Sequence, residues 1–383
     1  MHSQCNFLKK DTYNISNRGE NKAYLRTQLI TYIGNKRLLL PFLNKAIVEI
    51  KKKLKKNKIS FLDLFSGSGI VARSARQHAS TIICNDLELY SRIINSCYQT
   101  DYNQIDVKEL RHEIQQLDTL VKKNLSPGFI TDLYAPSNDE HIKQGERVFY
   151  TRKNAVYLDT FCQLIKNSPS HLYCYFMAPL LSQASMHTNT SGVFKGFYKN
   201  KNGIGQFGGN GRNALSRIKK NISLQIPVFS NFSCESYVYQ EDANTLVNHL
   251  ENIDIAYFDP PYNQHPYGSN YFMLNLLCDY KKPVSDILSK VSGIPSNWKR
   301  SNYNKRAKAS VTLFNAIENV KAKFVLISYS SDGFITHEDF VKNLRKLGKV
   351  SYFDQRYNTF RGCRNLSDRN IHVTEFLYML DKR

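Results

Sequence analysis

The feature that most constrains the fold is a buried strand that ends in a carboxylate and a glycine turn. Residues 59–64 (Ile-Ser-Phe-Leu-Asp-Leu) form an apolar run, residues 65–69 (Phe-Ser-Gly-Ser-Gly) predict a tight turn, and residues 70–78 predict a helix. A second strand and helix follow over residues 80–98. Strands that alternate with helices in this way are typical of a parallel, doubly wound α/β sheet.

The alternation resumes only after a long interruption. Further strands are predicted at 236–239, 253–258, 323–330, 349–353 and 372–380, and further helices at 273–280 and 307–320. Between residues 101 and 230 the pattern changes to mixed helices and a Gly/Asn-rich stretch, which is too long for a loop. We therefore expect a loose segment (1–24), a catalytic α/β domain in two parts (25–100 and 231–383), and an inserted, mainly helical domain (101–230).

The chain carries a large positive charge. Its 383 residues include 53 Lys and Arg against 32 Asp and Glu, a formal net charge of +21, which predicts a polyanionic partner. The excess is concentrated in residues 1–60, 195–220 and 299–308. The run Lys51–Lys58 is typical of the solvated face of a helix, away from any ligand. In the stretches 195–220 and 299–308, small polar and aromatic residues separate the charges. Such a mixture is typical of surfaces that position phosphate groups.

Several protein classes are disfavoured. The eight cysteines are scattered, with no C-x-x-C pair, so neither a zinc site nor a disulfide framework is expected. The first ten residues lack the apolar core of a signal peptide. The most apolar run, residues 172–181, is far shorter than the ~20 residues that span a bilayer. We expect a soluble, cytoplasmic protein that binds no metal and no membrane.

Two acidic positions at strand ends indicate a nucleoside ligand. Asp63 precedes the glycine turn, whose backbone can approach a ligand closely. Asp86 ends the next strand and is placed to accept hydrogen bonds from ribose hydroxyls. The third glycine of the dinucleotide pattern G-x-G-x-x-G is absent, so a ligand without a pyrophosphate is favoured. The same residues are also compatible with an ordinary tight turn.

A second motif follows the strand at 253–258. Asp259-Pro-Pro-Tyr262 places a carboxylate, two prolines and an aromatic ring after that strand. Consecutive prolines stiffen the backbone and leave carbonyls without neighbouring N–H donors. Asp259 and a proline carbonyl therefore form a rigid pair of acceptors beside Tyr262, suited to an exocyclic amine on a stacked base. Alone, the motif is also compatible with a turn.

The order of the motifs resembles a known family. Tyr32-Ile-Gly-Asn-Lys36 comes first, followed by the glycine turn, Asp86, the long insertion and Asp259-Pro-Pro-Tyr262. This order resembles the Dam-like (alpha) class of S-adenosylmethionine-dependent DNA adenine-N6 methyltransferases, from about residue 29 onwards. Residues 263–271 are similar to enzymes of restriction–modification systems. The resemblance implies a Rossmann-like methyltransferase sheet with a target-recognition domain at 101–230.

The resemblance also implies roles for individual residues. The cofactor S-adenosylmethionine would be bound by Tyr32, Gly34, Lys36, Asp63, Phe65, Gly67, Gly69, Asp86 and Asp242. Lys36 would pair with the cofactor carboxylate, Asp86 would bind the ribose, and Asp242, with Glu241 as a rival, would face the adenine. The catalytic residues would be Asp259, Pro260, Pro261 and Tyr262. Contacts to double-stranded DNA are expected from Lys195, Lys199, Arg212, Arg217, Lys299 and Arg300.

The function implied is methyl transfer to the N6 amine of a flipped adenine, with a companion restriction endonuclease as a possible partner. Three alternatives remain open. Cytosine-N4 methylation uses similar chemistry, although its loop more often begins with Ser than with an acid such as Asp259. An RNA base methyltransferase would need less recognition surface than the insertion supplies. A non-catalytic DNA-binding module would not need an intact Asp259 and glycine turn.

Overall fold

A seven-stranded sheet forms the centre of the molecule. The computed structural model describes residues 19–166, 171–358 and 372–383. Within these ranges the strands are β1 Ile59–Asp63, β2 Ala79–Asn85, β3 Glu235–Tyr239, β4 Ile253–Phe258, β5 Ala322–Ser330, β6 Lys349–Asn358 and β7 His372–Asp381. Their order is β3-β2-β1-β4-β5-β7-β6. Neighbours among the first five are parallel, whereas β7 is antiparallel to β5 and β6. The Rossmann-like α/β fold is confirmed, with an antiparallel strand that the sequence did not reveal.

Helices cover both faces of this sheet. They are α1 Lys22–Arg26, α2 Leu40–Leu54, α3 Ile70–Ala75, α4 Leu89–Tyr98, α5 Val107–Lys123, α6 Phe129–Tyr134, α7 Arg152–Ile165, α8 Tyr173–Met186, α9 Leu215–Lys219, α10 Ala243–Leu246, α11 Tyr267–Asn270, α12 Phe272–Asp279, α13 Arg306–Asn319 and α14 His337–Leu344. Strand side chains alternate between the faces. Phe61 packs in a cluster with α2 and α3, and Leu62 packs in another with α10, α13 and α14. Both faces of the sheet are therefore buried.

In the described part of the segment predicted as an insertion, the regular elements are helices joined by long loops. Residues 101–166 and 171–230 contain α5 to α9 and contribute no strand to the sheet. Side chains of α5 to α8 join those of α4 and α12 in one apolar cluster, whereas Ile218 of α9 packs with Val148 and Phe207 in a separate, smaller cluster. The two ends of the segment meet, because Asp101 and Ser230 form a bridge. The segment therefore leaves and returns at one point, and β2 and β3 on either side of it remain neighbours in the sheet.

The N-terminal prediction needs one correction. Residues 1–18 lie outside the described residues, so the expected loose segment is untested there. At its end the expectation is wrong, because Lys22–Arg26 forms a helix in which Tyr24 is fully buried. The Tyr24 hydroxyl donates to the carbonyl of Tyr98 at 2.6 Å, which fixes the segment to α4.

The lysine-rich run lies at the end of α2. Lys51, Lys52 and Lys53 occupy the last turn of the helix, where cations interact favourably with the helix dipole. Lys56 pairs with Asp254 at the beginning of β4, with Nζ and Oδ2 2.7 Å apart. The run therefore lies at the edge of the sheet opposite Asp259. Among the described helices, none has the length and apolar character needed to span a membrane.

Candidate active site

A pocket of about 670 Å³ lies at the carboxyl ends of β1, β2, β3 and β4. The strands β1 and β4 are neighbours. Beyond β1 the sheet continues with β2 and β3, and beyond β4 it continues with β5, so the strand order reverses between β1 and β4. Ligands of open α/β sheets bind at this switch point. The lining consists of Tyr32, Leu64, Phe65, Asn85, Asp86, Leu87, Glu88, Glu241, Asp242, Ala243, Asp259, Pro261, Pro266, Tyr267, Lys299, Ser301, Tyr303 and Asn304.

Only part of the predicted site lines this pocket. The predicted residues in the lining are Tyr32, Phe65, Asp86, Asp242, Asp259, Pro261 and Lys299, together with the rival Glu241. The predicted cofactor and catalytic residues outside the lining are Gly34, Lys36, Asp63, Gly67, Gly69, Pro260 and Tyr262. Sequence reasoning missed Glu88, Tyr267, Tyr303 and Asn304. Glu88 lies two residues after Asp86, Tyr267 lies within residues 263–271, and Tyr303 and Asn304 lie within residues 299–308. These positions were the signals in the sequence that could have indicated them.

The glycine turn is held by Asp86. The Gly67 N–H donates to Asp86 Oδ2 at 2.8 Å, and the Gly67 carbonyl accepts from Ser91 Oγ at 2.6 Å. Gly67 has a φ of +51°, and a Cβ there would lie 2.7 Å from the Tyr32 ring. Glycine is therefore needed both for the backbone conformation and for the approach of Tyr32.

Asp63 lies beneath the turn rather than in the pocket. It is buried, and its Oδ2 accepts a hydrogen bond from the Ala72 N–H at 3.1 Å. Its Oδ1 has no hydrogen-bond partner among the described residues. Burial, followed by the nearby Asp259 charge, raises the pKa of Asp63 well above its usual range. Its contact with Ala72 fixes the beginning of α3, and its role toward a cofactor stays a prediction.

Acidic side chains dominate the pocket wall. Asp242 caps α10 by accepting from the N–H groups of Asn244 and Thr245. Glu88 Oε2 accepts from Asn275 Nδ2 at 2.6 Å. Burial, with a further contribution from Asp86, raises the pKa of Glu88 to about 7. Such a wall favours a ligand that carries positive charge.

Aromatic rings supply flat apolar surfaces beside these acids. The Tyr32 ring stacks on Tyr267 and Tyr271, with centroids 5.1 and 5.0 Å apart. The Tyr271 hydroxyl accepts from the Ile33 N–H at 2.7 Å, which fixes the segment around Tyr32. Across the pocket, Phe65 packs edge to face on Tyr303 at 5.1 Å. The lining therefore offers faces suited to a planar ring.

The Asp-Pro-Pro-Tyr loop begins directly after the fully buried β4. Asp259 lines the pocket with 20% of its side chain exposed. Burial raises the pKa of Asp259 to about 6; Lys36 opposes this effect and Glu375 adds to it. Tyr262 packs edge to face on Tyr329 at 6.1 Å, and its carbonyl accepts from the Phe334 N–H. The carboxylate therefore faces the pocket while Tyr262 stands beside it.

Lys36 has protein carboxylates as its partners. Its Nζ lies 3.1 Å from Asp259 Oδ1 and 2.6 Å from Glu375 Oε1, and its side chain is 4% exposed. Burial lowers the pKa of Lys36, but Asp259 and Glu375 raise it well above the usual value. The sequence placed this ammonium against a cofactor carboxylate. In the structure its partners are Asp259 and Glu375, a glutamate that sequence reasoning missed, and a contact with the cofactor stays a prediction.

The predicted DNA-contacting cations occupy different environments. Lys195 Nζ lies 3.1 Å from His265 Nδ1, next to the Asp-Pro-Pro-Tyr loop. Lys199 lies over the Phe197 ring, and Arg212 is exposed. Arg300 stacks on Trp298 at 4.2 Å. Lys195, Arg212 and Arg300 are exposed, and Lys199 is partly exposed.

Two of the predicted cations have other contacts. Lys299 lines the pocket, and its Nζ donates to the Leu87 carbonyl at 3.4 Å. The Arg217 guanidinium donates to the carbonyls of Met186, Thr188 and Thr190, and so holds the chain that follows α8. These contacts occupy the Arg217 guanidinium within the protein, and its contact with DNA stays a prediction. In the described ranges, no cluster of three His, Cys, Asp or Glu side chains with metal-binding geometry is found.

Comparison with known proteins assigns this architecture to a family. A family model described as D12 class N6 adenine-specific DNA methyltransferase matches residues 32–343. The chain is 29% identical to "Type II methyltransferase M.CviAII" of Paramecium bursaria Chlorella virus 1, over 92% of this chain and 98% of that protein. It is 28% identical to "Type II methyltransferase M.NlaIII" of Neisseria lactamica, over 92% and 99%. It is 26% identical to "Modification methylase StsI" of Streptococcus sanguinis, over 92% of this chain and 52% of that protein.

Proposed function

Because the chain belongs to the D12 class N6 adenine-specific DNA methyltransferase family, we propose that it methylates adenine in double-stranded DNA with S-adenosylmethionine bound in the acidic pocket. One observation carries this proposal. Asp259, the first residue of the Asp-Pro-Pro-Tyr loop, lines the pocket at the carboxyl end of β4. A carboxylate at the boundary between cofactor and target is placed to act on the amine that receives the methyl group.

The pocket residues fit this cofactor. Its sulfonium carries a positive charge, and five carboxylates line the pocket against a single cationic side chain, Lys299, within the described ranges. When bound, S-adenosylmethionine supplies an electrophilic methyl group. Asp86 and Asp242 are the acids we assign to its ribose and adenine, with Glu241 as the rival of Asp242.

Asp259 and the Pro260 carbonyl are assigned to the target amine. Both are hydrogen-bond acceptors held by a rigid loop, and an exocyclic amine has two N–H groups to donate. Accepting these hydrogen bonds directs the nitrogen lone pair away from the protein and toward the methyl donor. We assign Tyr262 to stacking on the adenine, which has to leave the duplex to reach this depth. Positioning and fixed charge supply the catalysis.

A basic surface beside the loop is assigned to DNA. Two hydrogen bonds fix the stretch that contains Lys195 and Lys199 to the second part of the α/β domain, residues 231–383. The Phe194 N–H donates to the Asn270 carbonyl at 2.8 Å, and Ser292 Oγ donates to the Lys195 carbonyl at 2.7 Å. Arg212 and Arg300 extend the positive charge. We propose that these four residues contact phosphates and so hold the duplex over the pocket.

The assignment is tested by removing the carboxylate. Asp259→Ala should lower methyl transfer to duplex DNA at least about 100-fold, because a preorganised acceptor is lost, while cofactor affinity changes little. The fold should persist, since Lys36 keeps Glu375 as its partner. Radiolabelled methyl transfer measures the activity, and calorimetry measures cofactor binding. Asp286→Ala, an exposed carboxylate on the surface, is the matched control.

The identity of the product separates the alternatives. Mass spectrometry of digested nucleosides should find N6-methyladenine in treated DNA. N4-methylcytosine, or methylation of RNA in preference to DNA, would contradict the assignment of the target, and full activity of Asp259→Ala would contradict the mechanism.

We further propose that the enzyme is the modification partner of a restriction endonuclease. Support comes from the names of its relatives, two of which are type II methyltransferases matched over nearly their whole length. Sequencing that maps methylated adenines should then find them at one short site. DNA methylated there should resist a nuclease of the same specificity, and scattered methylation would contradict this role.

A further inference from the structure

Among the described residues, three charged side chains form a largely buried cluster at the pocket wall. Lys36 lies at the beginning of a 3-10 helix, Asp259 follows β4, and Glu375 lies within β7. The Lys36 and Glu375 side chains are 4% and 1% exposed, and their charged atoms are 2.6 Å apart. Lys36 Nζ is 3.1 Å from Asp259 Oδ1. A residue near the C-terminus thus contacts the catalytic loop through a single lysine.

The distances indicate how the cluster is held together. An ammonium removed from water is stable only when it is paired, and the shorter of its two contacts is with Glu375. The backbone fixes Glu375 on both sides, since it pairs with Ser330 of β5 and Gln355 of β6. Asp259, in contrast, lies on a loop at the pocket edge. Glu375 is therefore the better anchored of the two carboxylates.

The contact with Lys36 also distinguishes the two oxygens of Asp259. Lys36 contacts Oδ1 at 3.1 Å, and Asp259 lines the pocket, so Oδ2 is the oxygen left to face a ligand. An acceptor intended for an amine needs one oxygen that is free and a side chain that does not rotate. A lysine fixed on the other oxygen meets both requirements.

We propose that Glu375 is a positioning residue for methyl transfer: it holds the Lys36 ammonium on Oδ1 of Asp259 and so leaves Oδ2 to accept the target amine. This inference rests on the proposed function of Asp259. Glu375 itself touches neither cofactor nor target in this role; it acts only through Lys36.

The cluster predicts opposite effects for its two outer members. Without the Glu375 charge, Lys36 acts on Asp259 alone, and the Asp259 carboxylate ionises more easily. Without the Lys36 charge, two carboxylates face each other, and Asp259 ionises less easily. The other titratable groups that face Asp259 are Asp63, Tyr257, Tyr262 and Tyr267, and these remain in both variants. These shifts report that the three charges interact; a loss of kcat with an unchanged KM for the cofactor is the readout that distinguishes positioning from proximity alone.

The experiment is a titration of Asp259 in the free protein by NMR with ¹³C-labelled aspartate, with Asp259→Asn to assign the resonance. Glu375→Gln should lower the midpoint by about 1 pH unit and Lys36→Met should raise it by a similar amount. In methylation assays Glu375→Gln should lower kcat about tenfold, because the acceptor is misplaced, with the KM for the cofactor nearly unchanged. Glu375→Asp keeps the charge but shortens the reach, so it should lose kcat with a smaller change in midpoint.

Glu251→Gln is the matched control, since Glu251 also lies 2.6 Å from a lysine, Lys321, but on the surface. If Glu375→Gln and Glu375→Asp both match this control in midpoint and kcat, the inference is overturned. If Glu375→Gln does not fold, comparing Lys36→Met with the double variant Lys36→Met/Glu375→Gln still decides, because the second should have the lower midpoint. If the wild type transfers no methyl group to DNA, the proposed function fails, whereas the titration still reports on the cluster.

Discussion

Asp259 experiences opposing electrostatic effects, and these define a pH dependence. Burial raises its pKa to about 6, against the effect of Lys36. A protonated carboxyl loses the negative charge that attracts the target amine, so the active form exists above this pKa and disappears as the pH falls through it. We expect kcat/KM, which reports the free enzyme, to be level above about pH 7 and to fall about tenfold per unit below pH 6. Circular dichroism over the same range checks that the fold persists, and a profile that stays level to pH 5 would contradict the role of Asp259.

Gly67 is a second residue at which a small change has a calculable effect. A methyl group there would lie 2.7 Å from the Tyr32 ring in a turn with a φ of +51°. Gly67→Ala should therefore displace Tyr32 from the pocket and weaken cofactor binding at least about tenfold, a loss of ~1.4 kcal/mol. Gly145→Ala is the control, since Gly145 has a φ of +90° but nothing within 4 Å of an added Cβ. Calorimetry with the cofactor separates the two, and equal affinities would show that the turn tolerates a side chain.

At the level of elements, the segment before α13 connects the pocket to the end of the Asp-Pro-Pro-Tyr loop. Asn304 lines the pocket, and its Nδ2 donates to the Asn263 carbonyl at 2.8 Å. Asn263 directly follows Tyr262. Asn304→Ala should loosen the loop and lower kcat about tenfold, because misplacement of catalytic groups by even about 1 Å is costly. Asn302→Ala, in the same short 3-10 helix but exposed, should behave as the wild type in the same assay, and equal activities would exclude this role for Asn304.

The elements that the sequence predicted best are those with a clear apolar period. Predicted strands at 59–64 and 253–258 and the predicted helix at 307–320 agree with β1, β4 and α13 to within one residue at each end. The helix α8, Tyr173–Met186, was missed because its residues are buried on nearly every side and Pro179 lies inside it. An apolar run without polar intervals has no period from which a helix can be identified.

The sequence predicted the site residues whose positions follow from a local pattern. It could not predict contacts between residues that are far apart in the chain. Family membership is confirmed, and Asp86 and Asp259 line the pocket as their positions at strand ends implied. The contact between Lys36 and Glu375 joins residues 339 positions apart, and a local pattern carries no information about it. Lys299 was predicted to contact DNA from its basic neighbours; it lines the pocket, a position that charge alone does not reveal, and its contact with DNA stays a prediction.

For the whole molecule, the net charge of +21 is distributed unevenly over the surface. Lys56 pairs with Asp254, the second residue of β4, whereas Asp259 directly follows the last residue of this strand. Five residues of strand separate these carboxylates by about 16 Å, so the lysine-rich run and the active site occupy opposite edges of the sheet. Lys195, in contrast, contacts His265, which lies next to the Asp-Pro-Pro-Tyr loop. The molecule therefore has a basic surface beside the pocket and another remote from it.

These two surfaces predict different salt dependences of DNA binding. Each phosphate contact contributes about 0.9 to the slope of log K against log salt concentration. Replacing Lys195, Lys199 and Arg212 with Gln should therefore reduce the slope by about 3. Replacing Lys51, Lys52 and Lys53 with Gln removes the same charge from the remote edge and should leave the slope nearly unchanged. Fluorescence anisotropy with a labelled duplex at several salt concentrations measures both, and equal slopes in the two triple variants would mean that DNA responds to net charge alone rather than to a surface beside the pocket.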